Sequence, residues 1–166
     1  MNDEMLQSAQ AQALPWELVW RLITAAVLGG AIGLEREWHD HSAGFRTNML
    51  VAVGSCLFTI LSIIGFPLQG NAQDSARIAA QIVSGIGFLG AGALFRDKDH
   101  VRGMTTAATV WLVAAIGMAA GTGNYFIAVC TTVLALIVLV LLRPIGVRIA
   151  PRKQDAQYQR EDEQAD

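Results

Sequence analysis

The chain has 166 residues, 53% of them hydrophobic and only 16% charged, with a formal net charge of −2. Soluble domains carry about a quarter of their residues as charges. Here the charges gather in loops and tails, which excludes an ordinary water-soluble globule and a nucleic-acid partner, and predicts one compact polytopic membrane unit.

Residues 1–15 form a polar segment with no basic n-region, so no cleaved signal peptide is expected. A first transmembrane helix is predicted over residues 16–34, entered through Pro15, whose missing N–H costs little at a helix start. Trp16 and Trp20 suit an interfacial aromatic belt, and Glu17 with Arg21 has the acid-first spacing of a helical ion pair. Gly29 and Gly33 form a G-x-x-x-G seam for close helix packing. After a polar loop containing Glu35, Arg36, Glu37, His39, Asp40 and His41, a second helix is predicted over 46–64, ending at Gly-Phe-Pro. Cys56 within it and Cys130 further on sit in apolar stretches, where thiols act as small hydrophobes.

A third helix is predicted over 77–95 and a fourth over 105–121, joined by a charged loop from Arg96 to Gly103. Both are rich in glycine and alanine (Gly85, Gly87, Gly90, Gly92, Gly117, Gly121), which predicts an interior pair around which the rest packs. A re-entrant arrangement of the two is the alternative. The leucine- and valine-rich fifth helix, 125–142, is expected to face lipid. Residues 144–166 form a charged cytoplasmic tail too short for a soluble C-terminal domain. Each segment is near the minimum needed to cross a hydrocarbon core of roughly 30 Å. The fold class expected is therefore all-α, a bundle of five transmembrane helices over residues 16–143.

Ten of the twelve basic residues fall on one face of such a bundle; Arg21 and Arg77 are the other two. The positive-inside rule then puts the N-terminus in the periplasm and the C-terminus in the cytoplasm.

No nucleophile–base pair, P-loop or metalloprotease motif is present, and no enzymatic activity is expected. Gly85-Ile-Gly87-Phe-Leu-Gly90 spells the dinucleotide fingerprint, but that motif needs a preceding strand and a following acid, so helix packing explains it better. On the basic face, Glu35 and Glu37 close a helix whose dipole disfavours them there, while Arg46, Arg96 and Arg102 stand near helix starts. Those arginines either neutralise the two acids across the bundle, hold an anion at the helix N-termini, or snorkel to lipid headgroups. His39, Asp40 and His41 match no strong metal signature, and Asp74 with Arg77 reads as an ion pair or cap on the opposite face. Gln81 reaches Thr105, Thr106 or Thr109 only if the third and fourth helices run at matching depths.

The strings GAIGLERE, AGFRTNMLVAVGSCLF and RIAAQIVSGIGFLGAGALFRDKDHVRGMTTAATVWLVAAIGMAAG resemble the membrane domain of the MgtC/SapB family over about residues 16–143. The resemblance implies a bacterial inner-membrane protein linked to growth in scarce magnesium and, in pathogens, to persistence in host cells. It also implies functional weight for Glu35, Arg36, Glu37, Arg46, Asp74, Arg77, Arg96 and Arg102, and for the polar helix positions Asn48, Gln81, Thr105, Thr106 and Thr109. The length favours the shorter SapB-like type. The function expected is modulation of another membrane complex or of ion balance; the alternatives are a Mg²⁺ transporter or channel, and a cytosol-facing anion or lipid-headgroup binder. No cofactor is expected beyond the magnesium the family implies. The partners foreseen are the bilayer, another inner-membrane protein, and a second copy held through the glycine seams.

Overall fold

The computed structural model describes residues 14–64, 75–97 and 100–142. It contains five helices: α1 (Leu14–Trp38), α2 (Phe45–Ile64), α3 (Ser75–Gly92), α4 (Met104–Gly121) and α5 (Tyr125–Leu141). Between α3 and α4 lies a short antiparallel hairpin, β1 (Phe95–Asp97) and β2 (His100–Arg102), with Phe95 opposite Arg102. The fold is all-α apart from this ribbon, which takes up most of the predicted charged loop.

The chain divides into two units, residues 1–132 and 133–166. Of the second, residues 133–142 are described; they continue α5 as a largely exposed run of leucine, isoleucine and valine. In the first unit the centre is α2, with α1 and α4 packed along it. Small residues allow this. A Cβ on Gly29 would stand 2.6 Å from the Ala52 Cβ, and one on Gly33 2.7 Å from the Phe45 Cα. From the other side, a Cβ on Gly117 would overlap the Ala52 carbonyl, and one on Gly121 would lie 2.8 Å from the Cys56 carbonyl oxygen. Two G-x-x-x-G seams therefore clasp one helix, α1 antiparallel and α4 parallel to it. Both predicted seams hold, and both are used inside the chain.

The expectation of an interior α3–α4 pair is corrected. Among the described residues of α3, Ile82, Ile86 and Gly90 alone are buried, the isoleucines against Val110 and Ala114 of α4. Gly85, Gly87 and Gly92 face open space, where a Cβ would meet nothing within 4 Å, and Gly90 makes only ordinary contact with Ala107. Composition marked α3 as a close-packing helix, but three of its four glycines face no neighbour and the fourth makes no close backbone approach. The glycines at 85, 87 and 90 lie in mid-helix, with no strand before them among the described residues, which rules out the geometry of the dinucleotide fingerprint.

The first helix also runs beyond its predicted end at residue 34. Asp40 adopts a left-handed φ of 54°. The His41 N–H reaches the Arg36 carbonyl at 3.1 Å and the Asp40 N–H the Glu37 carbonyl at 3.2 Å. This is a Schellman stop with aspartate in the place glycine usually fills. Glu35, Arg36 and Glu37 therefore belong to the last turns of α1, not to a loop.

Three helices, Trp16–Trp38, Phe45–Ile64 and Met104–Gly121, are long and apolar enough to cross a membrane; Ala79–Gly92 and Tyr125–Leu141 are shorter apolar helices. Exposed Trp16 and Trp20 stand near one end of α1 and Trp38, 87% exposed, at the other. At 1.5 Å per residue the ends are about 33 Å apart, close to the hydrocarbon thickness of a bilayer. The apolar outer faces are built to contact lipid, and the protein is a membrane protein.

Candidate functional site

Because α1 and α3 run against α2 and α4, the C-terminal end of α1, the hairpin and the starts of α2 and α4 meet at one end of the unit. The structure thus brings Glu35, Arg36, Glu37, Arg46 and Arg102 to a common end, with Arg96 on β1 of the hairpin there. Arg77, exposed in the first turn of α3, is at the opposite end. Its foreseen partner Asp74 lies outside the described residues.

Within the cluster the pairing differs from the neutralisation of Glu35 and Glu37 by arginines across the bundle. Glu35 and Arg36 are buried, the arginine only 3% exposed, with Nη1 3.5 Å from Glu35 Oε2. His39 joins them from the next turn: its Nδ1 lies 2.8 Å from the Glu35 carbonyl and 3.1 Å from Oε1, so one proton on Nδ1 serves both acceptors. Burying a charge is expensive unless it is paired and hydrogen-bonded, which is why these three groups gather. Glu37 points the other way and accepts the Phe45 N–H at 2.6 Å. A carboxylate at the end of one helix thereby caps the positive start of the next. The dipole penalty foreseen for Glu37 at the end of α1 is offset by the favourable field at the start of α2.

Arg46 and Arg102 are exposed and form no ion pair among the described residues, so neither neutralises Glu35 or Glu37. For these two the expectation is corrected: the neighbour Arg36 and the i+4 His39 already occupy Glu35, while the Arg96 side chain lies outside the described residues.

Asn48 holds the turn beneath. Fully buried, it donates from Nδ2 to the Ala43 carbonyl at 2.8 Å and the Gly44 carbonyl at 2.9 Å, and its Oδ1 has no partner among the described residues. A Cβ on Gly44 would sit 2.6 Å from Glu37 Oε2, so a larger residue there would displace the capping carboxylate. The other polar positions have local roles. Thr109 Oγ1 donates to the Thr105 carbonyl at 2.8 Å within α4, Thr106 is buried, and Thr105 is exposed. Gln81 is exposed on α3 beside α2 and bonds to none of these threonines, because α3 presents its isoleucines to α4.

At the far end, Arg21 Nη1 donates to the Gly121 carbonyl at 2.9 Å while Nη2 pairs with Glu17, as the sequence spacing predicted. The tie to α4 was missed. Its only signal was the arginine itself, since a cation inside an apolar helix must find acceptors. The Glu35–His39 pair carried an i,i+4 signal, hidden by ending the helix too early.

No group of three His, Cys, Asp or Glu side chains that could hold a metal exists among the described residues. His39 is engaged with Glu35, the His39 and His41 ring centroids are 6.5 Å apart and nearly perpendicular, and Asp40 is exposed. The chemistry on offer is a fixed, internally paired polar hinge beside two solvent-facing arginines.

A family model described as MgtC family matches residues 22–148. The chain is 43% identical over 140 residues to Protein MgtC of Salmonella typhimurium LT2, covering 84% of this chain and 58% of that one. It is 42% identical over 137 residues to the "Putative magnesium transporter YhiD" of Escherichia coli K12, covering 80% and 64%. It is also 43% identical over 133 residues to the uncharacterized protein slr0014 of Synechocystis, covering 80% and 55%. The chain spans about three-fifths of the length of these curated relatives. No solved structure matches it significantly.

Proposed function

The chain belongs to the MgtC family, and from that premise we propose that it is a bacterial inner-membrane protein of magnesium homeostasis that modulates another membrane complex. One observation carries this over the transport reading. Every carboxylate in a described helix lies in a terminal turn and is already engaged: Glu17 by Arg21, Glu35 by Arg36 and His39, Glu37 by the Phe45 N–H. Between those ends the helices meet glycine against backbone, with no acidic side chain along the way. A cation path needs carboxylates or rings of carbonyls, and Mg²⁺ prefers carboxylates together with retained water. The exposed Arg46 and Arg102 at one mouth repel cations further.

In this reading the end bearing Arg36, Arg46 and Arg102 faces the cytoplasm. The polar hinge ties the end of α1 to the start of α2 through the Glu37 bond to the Phe45 N–H, so that the lipid-facing surfaces and the arginines present a defined shape to a partner.

Reconstitution into liposomes loaded with a Mg²⁺-sensitive dye tests the proposal. Flux no higher than in protein-free vesicles is the expected result, alongside a defined membrane complex co-purifying from native membranes. Saturable flux abolished by Glu35→Gln, with the variant still folded, reverses the ranking in favour of the activity named for the Escherichia coli relative.

A further inference from the structure

We infer that the groove between α2 and α3 binds an anionic phospholipid, with one acyl chain along the groove and the phosphate on Arg46. The groove has a volume of about 710 Å³ and is walled by apolar side chains, Leu50 and Phe58 from α2, Ile82 and Leu89 from α3. Gly54 and Gly85 also line it, and at each an added Cβ would meet nothing within 4 Å. At positions 29, 33, 117 and 121 the same residue brings backbones together; here it leaves a channel open instead.

The dimensions suit a single leaflet. From Leu50 to Phe58 the groove follows α2 for about 12 Å, against roughly 15 Å for half of a hydrocarbon core. Arg46 is one turn before Leu50 on the same helix face, about 6 Å further out, at the level of the headgroups. Gln81 marks the deep end.

Charge decides the headgroup. Arg46 is exposed and has no carboxylate partner among the described residues, because the neighbouring acids Glu35 and Glu37 are taken by Arg36, His39 and the Phe45 N–H. Exposed Arg102 adds a second cation at the same end. A guanidinium matches phosphate in geometry as well as charge. A second copy is the poorer occupant: a two-fold pairing through this face would bring both Arg46 side chains to the same depth as like charges. The inference needs only that the protein lies in a membrane, and stands or falls apart from the modulation of any partner.

The test is native mass spectrometry of the purified full chain titrated with phosphatidylglycerol or with phosphatidylcholine of identical acyl chains. Wild type is expected to hold one phosphatidylglycerol in clear preference. Arg46→Gln should cut that preference about fivefold, the effect of one arginine near a charged lipid surface. Gly54→Leu should expel both lipids, with helical circular dichroism and elution unchanged, while Gly87→Leu, outside the groove, should leave binding intact. Should Gly54→Leu not fold, Gly85→Leu blocks the groove from α3, and the exposed Arg46 variant tests the headgroup alone. Equal retention of the two lipids by wild type overturns the inference, and so does undiminished binding with the groove filled. A dimer that dissociates in Gly54→Leu while lipid binding persists overturns it too, and assigns the groove to a protein helix.

Discussion

Gly117 and Gly87 are the same residue in two apolar helices, yet an added methyl group meets opposite surroundings. At Gly117 it runs into the Ala52 carbonyl, which belongs to the backbone of the central helix and has no room to yield; at Gly87 nothing lies within 4 Å. Overpacking of this kind costs about 1–3 kcal/mol, while removing an unpacked helical glycine gains up to about 1 kcal/mol. Gly117→Ala should therefore lower the unfolding midpoint in mixed detergent micelles, and Gly87→Ala should leave it unchanged or raise it. The arginines divide in the same way. Arg36→Ala leaves buried Glu35 with His39 alone, and breaking a buried pair costs about 3–5 kcal/mol. Arg102→Ala removes an exposed side chain without a described partner and should stay within about 0.5 kcal/mol of wild type. Folded yield by fluorescence-detected size exclusion distinguishes the two, and a loss at Arg102 equal to that at Arg36 would show a partner the cluster does not reveal.

Helix ends show what each local sequence could disclose. Helix α4 stops at Gly123, φ 81°, where the Asn124 N–H reaches the Ala119 carbonyl and the Gly123 N–H the Ala120 carbonyl, both at 3.0 Å. Glycine announced that stop, and the prediction ended the helix at Gly121. Helix α1 stops by the same motif at Asp40, with no glycine to mark it, and was predicted to end early. Aspartate tolerates the left-handed region through its short polar side chain, whereas a bulky residue pays about 1–2 kcal/mol there. Asp40→Gly should accordingly be neutral or stabilising in thermal unfolding, and Asp40→Val destabilising by roughly that amount. The existence of the helices was legible because each is a long, predominantly apolar run. The hairpin was not, because strands of three residues are too short to show alternation. The exposed position of α3 was not either: glycine content says that a close approach is permitted, but only the facing helix decides whether it happens. The Glu37 cap on Phe45 spans eight residues of chain and the Arg21 bond to Gly121 one hundred. Contacts so distant leave no local mark on the sequence.

The antiparallel order of α1 and α3 against α2 and α4 turns a one-dimensional charge pattern into a polarised molecule. Arg36, Arg46 and Arg102 stand at one end, and Arg21 and Arg77 at the other, where Glu17 offsets the first. Positive charge resists translocation, so the arginine-rich end should remain cytoplasmic, with the turn between α4 and α5 periplasmic. Thr47 and Asn124 are exposed at those two ends, which makes them suitable reporters once Cys56 and Cys130 are replaced by alanine. A membrane-impermeant maleimide added to spheroplasts should label the Asn124→Cys chain and spare the Thr47→Cys chain, which reacts only after lysis. Should Thr47→Cys react from outside, the unit is inverted. The lipid groove would then open to the outer leaflet, where Arg46 could not meet a cytoplasmic partner and the modulation reading would lose its surface, while the lipid-binding assay would still give its own answer. Because Gly117 and Gly121 of α4 pack directly on the backbone of α2 at Ala52 and Cys56, the two labels should also move together: a variant that flips one end without the other is incompatible with this packing.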